Sequence, residues 1–164
     1  MLEFRPARPA DPDAVLLTDE VQRYYVELYG GPDNDPLDVE EFVPPRGRFL
    51  LGYADGEPVA MGGWSFLHGA EHDAKVRRMY VRPAGRRLGF AAAVLDALER
   101  SAADAGAART VLATGLPQAD AIAFYRARGY EDIAPFGFYA DEPGGVFLGK
   151  ALVPAAGRLT GSAG

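Results

Sequence analysis

Residues 76–91 read VRRMYVRPAGRRLGFA. The first six, Val76–Val81, alternate like a strand, and alternation puts Val76, Arg78 and Tyr80 on one face and Arg77, Met79 and Val81 on the other. A tight basic turn follows, Arg86-Arg87-Leu88-Gly89, and then the first residues of a helix, Phe90-Ala91. A helix N-terminus offers unpaired backbone N–H groups and a partial positive charge, which together hold phosphate oxygens. Gly89 lets the backbone approach a ligand closely, and the small Ala91 keeps the next helical turn clear of it. Arg86 and Arg87 add charge-assisted donors.

The local charge runs against that of the whole chain. Lys75, Arg77, Arg78, Arg82, Arg86 and Arg87 crowd one short segment, while the 164 residues hold 23 Asp+Glu against 17 Lys+Arg. A positive site on an acidic body suits a small polyanion and argues against a nucleic acid, whose long backbone would meet repulsion beyond the site. The length suffices for one domain with a real core, expected over residues 1–153 with a frayed tail at 154–164. There are no cysteines, which excludes disulfides, thiolate metal sites and a cysteine acyl-enzyme. His68, His72 and scattered carboxylates show no metal-ligand spacing, so no metal is expected. The opening MLEFRPARPADPD has no apolar signal region and no apolar run is long enough for a membrane span, which predicts a cytoplasmic protein without membrane attachment.

Working outward, Leu2–Arg5 reads as a first strand. Asp11-Pro12-Asp13 marks a helix start, with Asp as N-cap and Pro at the first helical position. The run VLLTDEVQRYYVELY is helical, with a break expected near Thr18-Asp19, and Gly30-Gly31-Pro32 ends it. After a loop with one short helical turn, Arg48–Ala54 and Pro58–Phe66 form a hairpin about Asp55-Gly56, and Lys75–Val81 completes a meander. Glu71, His72 and Asp73 fall in the connecting loop. Phe90–Ala105 is the clearest helix, with Ala91, Val94, Leu95, Leu98 and Ala102 on one stripe. Thr110–Thr114 is a short buried strand, Gln118–Arg128 a helix, and Tyr130–Ile133 and Val146–Val153 close the chain. The pattern predicts a mixed α/β sheet with helices on both faces.

Two segments carry a family resemblance. Arg86–Ala91 fits Q/R-x-x-G-x-G/A, and Gln118, Ala121, Phe124, Tyr125, Gly129 and Tyr130 fit N/Q-x-x-A-x-x-F/L-Y-x-x-x-G-F/Y. In this order, on a helix start and then on a second helix, they resemble the GNAT N-acetyltransferase superfamily over roughly residues 48–152. The resemblance implies a mixed, mostly antiparallel six- or seven-stranded sheet in which two central strands, here Lys75–Val81 and Thr110–Thr114, splay apart. It implies acetyl-CoA as co-substrate. The pantetheine arm would pair with the main chain of Met79 and Val81, and the pyrophosphate would rest on the backbone of Arg87, Leu88, Gly89, Phe90, Ala91 and Ala92. Arg86, Tyr80, Gln118 and Phe124 complete the expected cofactor residues.

Without a cysteine, direct transfer from acetyl-CoA to a primary amine of a small molecule, amino acid or peptide is the natural chemistry. A backbone N–H near Tyr80 or Val81 would polarise the thioester carbonyl. The resemblance assigns Tyr125 as the acid at the departing sulfur, and a phenol near pKa ~10 can hydrogen-bond a thiolate of ~8.5. The base is unassigned. Many relatives place a Glu where Lys75 stands and another where Ala113 stands; Glu71, His72, Asp73, Glu20, Glu27 or a water relay are what the sequence leaves. The acceptor side is expected to comprise Tyr24, Tyr25 and Tyr29, the loop Asp33–Glu41 and the region Phe136–Pro143. Tyr25 and Tyr29, four residues apart, equally suit packing on the core. An acidic mouth would suit a cationic amine, whereas Lys75, Arg77 and Arg78 in the same cleft would favour a zwitterion. The missing carboxylates also fit a catalytically weak acyl-CoA-binding sensor or partner module. A homodimer is common in this family, and no residue here decides it.

Overall fold

The computed structural model describes residues 2–153, without the side chain of Glu71; the expected tail at 154–164 lies outside the described residues. Seven strands form one sheet in the order β1-β2-β3-β4-β5-β7-β6. They are β1 (Glu3–Ala7), β2 (Gly47–Ala54), β3 (Glu57–Leu67), β4 (Ala70–Val81), β5 (Arg109–Gly115), β6 (Glu131–Asp132) and β7 (Gly145–Ala151). All neighbours are antiparallel except β4 and β5, which run parallel.

Three α-helices cover the sheet: α1 (Pro12–Tyr29), α2 (Phe90–Asp104) and α3 (Ala119–Ala127). Ala14, Leu17 and Val21 of α1 pack with Phe49, Leu51 and Met61 on one face. Val94, Leu95, Leu98 and Ala102 of α2 pack with Trp64, Val76, Leu112 and Leu148 on the other, and Phe124 and Tyr125 of α3 join them. The expected sheet with helices on both faces is therefore present.

α1 runs unbroken through Thr18-Asp19, against the expected break. Two polar residues do not interrupt a helix whose buried positions continue at Leu17 and Val21. Its C-cap, Gly30, has φ +82, the left-handed conformation that ends helices. The third meander strand is longer than expected: β3 and β4 meet at a tight turn, and Glu71, His72 and Asp73 belong to β4 rather than to a loop.

The alternation expected along Val76–Val81 also fails, for a local reason. Gly63 pairs with Arg77 and Met61 with Tyr80, so Gly62 alone opposes both Arg78 and Met79. This is a β-bulge, with Arg78 at φ +60. The extra residue reverses the phase. Val76, Met79 and Val81 share the face under α2, while Tyr80 packs on the α1 side.

One polar cluster ties α1 to the end of β4. Glu20 accepts from Arg82 Nε at 3.0 and 3.1 Å and from the Tyr80 hydroxyl at 3.1 Å. Arg82's hydrogen bonds hold the Glu20 carboxyl below its ordinary value. Glu20 thus stabilises the fold above the unfolded carboxyl pKa, and that contribution is lost as pH falls through the lower folded value. Both side chains keep some solvent contact, so Glu20→Gln is expected to cost about 1 kcal/mol at neutral pH. Thermal melts of the two proteins should converge as pH falls below 4; a constant difference from neutral to acid would show that the carboxylate charge contributes nothing.

Candidate functional site

The β4–β5 ladder ends early. Asp73, Ala74 and Lys75 pair with Arg109, Thr110 and Val111, and pairing stops there, although β4 continues to Val81 and β5 to Gly115. The two strands diverge, and the gap opens into a cavity of about 590 Å³. Its walls come from Val76–Met79 of β4, Leu112–Gly115 of β5, Tyr25 and Tyr29 of α1, residues 30–35, Gln118, Ala121 and Tyr125 of the α3 segment, and Tyr139 with residues 142–145.

The edge of β4 that faces the gap retains free backbone. Arg82 N–H donates to Val59 O at 2.8 Å, within the β3 ladder. Alternation then turns the N–H and C=O of Val81 to the opposite, open edge. Consistent with that, Val81 O accepts from Arg86 Nε at 3.1 Å rather than from a strand.

Beyond β4 a 3-10 turn, Pro83–Gly85, leads to the basic loop. Arg87 has φ +65 and Gly89, the N-cap of α2, has φ +79. No side chain caps α2, so its first amides point outward unpaired by any cap. Arg86, Arg87 and Leu88 are exposed, Ala91 and Ala92 half-buried, and Phe90 packs against Gly85. Arg87 makes no ion pair among the described residues.

On the α3 side, the Tyr125 hydroxyl donates to Met79 Sδ at 3.8 Å, a weak acceptor. Its ring packs edge-on against Phe124 and Tyr130. Burial raises the phenol well above its ordinary pKa, so it remains a protonated donor across the physiological range. Tyr29 accepts from Gln118 Nε2 at 2.7 Å and packs over Gly115, where an added Cβ would lie 2.6 Å from the hydroxyl. Burial pushes the Tyr25 phenol up to about 12.

Two loops close the α1 side through one polar network. Lys75 Nζ donates to Asp35 Oδ2 at 2.6 Å and lies 5.9 Å from the Phe136 ring. Arg77, buried, donates to the carbonyls of Asp35 and Pro36 at 2.8 Å each. It also lies 3.8 Å from the Asp33 carboxylate and 3.6 Å from that of Asp35. Tyr139 donates to Asp33 Oδ1 at 2.7 Å and accepts from Asn34 N–H at 2.8 Å.

The cavity thus gathers Met79, Tyr25, Tyr29, Gln118 and Tyr125, and Lys75, Arg77 and Arg78 do share it. It does not gather Tyr24, which is 39% exposed with its ring beside that of Tyr25. Nor does it gather Tyr80, whose hydroxyl is taken by Glu20, or Phe124, which packs on the core. The basic loop 86–92 stands outside the cavity, past the end of β4.

Of the sequence's candidate bases, Glu20 is held by Arg82, and Asp73 is paired with Arg109 at 2.8 Å. His72 and Glu27 are exposed and away from the cavity. The side chain of Glu71 lies outside the described residues. Glu142, which the sequence reading did not single out, lines the cavity rim and has no cationic partner among the described residues. It falls inside the Phe136–Pro143 region expected on the acceptor side, but no motif distinguishes it there, because the cavity it borders is formed by distant segments. The described residues contain no cluster of three or more potential metal ligands and no helix long and apolar enough to cross a membrane.

Comparison with known proteins agrees with this architecture. Residues 16–130 match the Acetyltransferase (GNAT) family. The chain is 33% identical over 144 residues to the IAA acetyltransferase of Azospirillum brasilense, covering 88% of this chain and 94% of that one. It is 29% identical over 123 residues to the uncharacterized N-acetyltransferase YjcF of Bacillus subtilis, covering 71% and 84%. A solved structure from Klebsiella pneumoniae, assigned as an acyl-CoA N-acyltransferase, superposes with a TM-score of 0.80 at 25% identity, covering 93% of this chain and 98% of that one. A splayed sheet, an uncapped glycine-led helix start beyond β4, and this match along most of the chain lead to one assignment: the chain belongs to the GNAT acetyltransferase family.

Proposed function

We propose that the protein transfers an acetyl group from acetyl-CoA directly to a primary amine, with the thioester held between β4 and β5. The observation that carries this is the gap itself, with an open backbone edge on β4, a phenol donor aimed at a sulfur, and a cavity on the far side for an acceptor. Acetyl-CoA supplies the activated acyl group; the protein supplies position, hydrogen bonds and a route for the proton.

The residues present fit that co-substrate. The amides of Gly89 to Ala92, uncapped and at the positive end of α2, suit the pyrophosphate, and the free charge of Arg87 adds to them. Arg86 releases Val81 O to meet its own anion, leaving the Val81 edge to pair with pantetheine amides. An N–H on that edge polarises the thioester carbonyl, and strengthens as negative charge develops there. Tyr125 exchanges its weak thioether acceptor for the departing sulfur. With its pKa raised, it acts chiefly as a hydrogen-bond donor to the thiolate rather than by complete proton transfer. Glu142, the cavity carboxylate without a cation, receives the amine's proton directly or through water. Tyr25 and Tyr29 wall the acceptor.

Gly89 tests the cofactor site. Its left-handed φ favours glycine, and an added side chain meets nothing within 4 Å, so substitution there threatens a ligand more than the core. Gly89→Asn, which tolerates this conformation, should retain the fold and part of the affinity for acetyl-CoA. Gly89→Glu should abolish binding by bulk and like charge. Arg87→Ala should cost about 1–3 kcal/mol and flatten the salt dependence. Unchanged calorimetric affinity in Gly89→Glu would place the cofactor elsewhere.

Tyr125→Phe separates catalysis from packing. The ring contacts are kept and only a bond to a thioether is lost, so stability and acetyl-CoA affinity should stay near wild type. Turnover in a thiol-release assay should fall roughly ten- to a thousandfold, on kcat more than on KM for acetyl-CoA. A panel of amines supplies the acceptors, and IAA, named in the Azospirillum brasilense relative, is offered beside them as a separate candidate. Wild-type kcat in the variant across the pH range would remove Tyr125 from the chemistry. Tight acetyl-CoA binding with no thiol release for any acceptor would favour a binding module.

A further inference from the structure

Arg78 is the cation of the cavity that no side-chain hydrogen bond or ion pair holds among the described residues. Lys75 and Arg77 are both engaged with Asp35. Arg78 makes no hydrogen bond or ion pair among the described residues, and its Nε and Nη1 are sealed from solvent without a partner. A buried donor left unmade costs free energy, more so when charged. Asp33 is the carboxylate nearest in electrostatic effect, yet its oxygens already serve Tyr139, the Asp35 amide and Arg77. With Nε and Nη1 sealed, Nη2 is the nitrogen left open towards the cavity that Arg78 lines.

The bulge sets which part of the cavity receives this charge. Met79 faces Tyr125 and the α2 side. Arg78, one residue earlier and at φ +60, is coupled instead to Asp33, Arg77, Tyr25 and Asp35. It therefore belongs to the half of the cavity walled by α1 and the 30–35 loop. The phosphates proposed for the α2 N-terminus lie past the end of β4, outside this cavity, and a pantetheine arm is uncharged. An anion that meets Arg78 Nη2 from the cavity would therefore come with the acceptor.

We propose that the acceptor is an amine that also carries a carboxylate, and that Arg78 anchors that carboxylate and selects for it. The inference rests on the acetyl-transfer reading above and adds the acceptor class. Tyr25, Tyr29 and Tyr139 line the same space and would flank the body of the acceptor. The unpaired Glu142 stands on the rim, a fitting neighbour for the ammonium end of a zwitterion.

The test compares acids with their own amides. α-Amino acids, ω-amino acids and aminobenzoates, each beside its primary amide, are offered to wild type, Arg78→Gln and Arg78→Lys with saturating acetyl-CoA, and thiol release is followed. The best acid should exceed its amide in kcat/KM by about tenfold or more, the scale of one charge-assisted hydrogen bond. Arg78→Gln should erase that ratio through the acceptor's KM, and Arg78→Lys should restore part of it. Calorimetry with acetyl-CoA runs alongside and should give wild-type affinity in both variants. Amides used as well as acids by the wild type, a preference that survives Arg78→Gln, or a panel in which no acid surpasses its amide would each overturn the proposal. Should Arg78→Gln fail to fold, the wild-type ratio and Arg78→Lys still decide. Failure of the wild type to bind acetyl-CoA would instead sink the acetyl-transfer reading, so the two failures are distinguishable.

Discussion

The interrupted pairing of β4 with β5 is the constraint on which the rest of the molecule depends. Three paired residues on each strand hold the two halves of the sheet together, and beyond Lys75 and Val111 the strands cannot meet. A sheet interior with unpaired amides and carbonyls is costly unless something else satisfies them. Here water or a ligand can reach them, because the gap is a cavity rather than a packed seam. The bulge at Arg78 contributes by setting two residues of β4 against Gly62 and increasing the local twist. One local irregularity thus turns Met79 towards Tyr125 and Arg78 towards α1.

The fold accommodates this break by bridging it with apolar packing on the α2 face and polar contacts on the α1 face. Val94, Leu95 and Leu98 of α2 pack with Trp64 and Val76 on one side of the break and with Leu112 and Leu148 on the other, while β7 pairs along the whole of β5, from Arg109 to Gly115. On the α1 face the connections are polar. Lys75 reaches Asp35, Arg77 reaches the 35–36 carbonyls, and Tyr139 reaches Asp33. Such contacts have directional geometry and fix loop positions, whereas apolar packing there would have filled the space a ligand needs. Burying Lys75 and Arg77 beside Asp35 is tolerable because the cations share carboxylate and carbonyl acceptors; removing any one member would strand the others.

The features legible in the sequence were those with local causes. The basic turn, the glycine before α2, the helical stripe through Leu98 and the hairpin at Asp55-Gly56 each follow from spacing and conformational preference within a few residues. The family followed from two such segments in order. The bulge was not legible, since VRRMYV alternates plausibly in either phase and the choice is made by the partner strand, where Gly62 faces two residues. The extension of β4 through Glu71–Asp73 was missed because polar residues at a sheet end lack a hydrophobic period. Tyr24, Tyr25 and Tyr29 looked alike in sequence. Exposure does not separate them, since Tyr29 is 45% exposed against 39% for Tyr24; only helix phase against the cavity does, which Tyr25 and Tyr29 line and Tyr24 does not.

The missing carboxylates acquire a physical meaning once the loops are placed. At position 75 the sequence offers a cation where relatives often carry a Glu, which by itself would invert the charge of the cleft. The 33–35 loop brings Asp35 to within 2.6 Å of that cation, so the site regains a carboxylate, but one held in a salt bridge and unavailable as a free proton acceptor. At position 113 the alanine leaves β5 without any ionisable group facing the gap. On the proposed function, proton transfer then falls to the rim, where Glu142 stands. The cavity guanidinium that no hydrogen bond or ion pair holds is Arg78, on β4. On the proposal above, these two groups orient an acceptor bearing both signs, its carboxylate to Arg78 and its amine towards Glu142, before any bond is made. On that proposal a purely cationic amine would still meet Glu142 but would bring no partner for Arg78 Nη2.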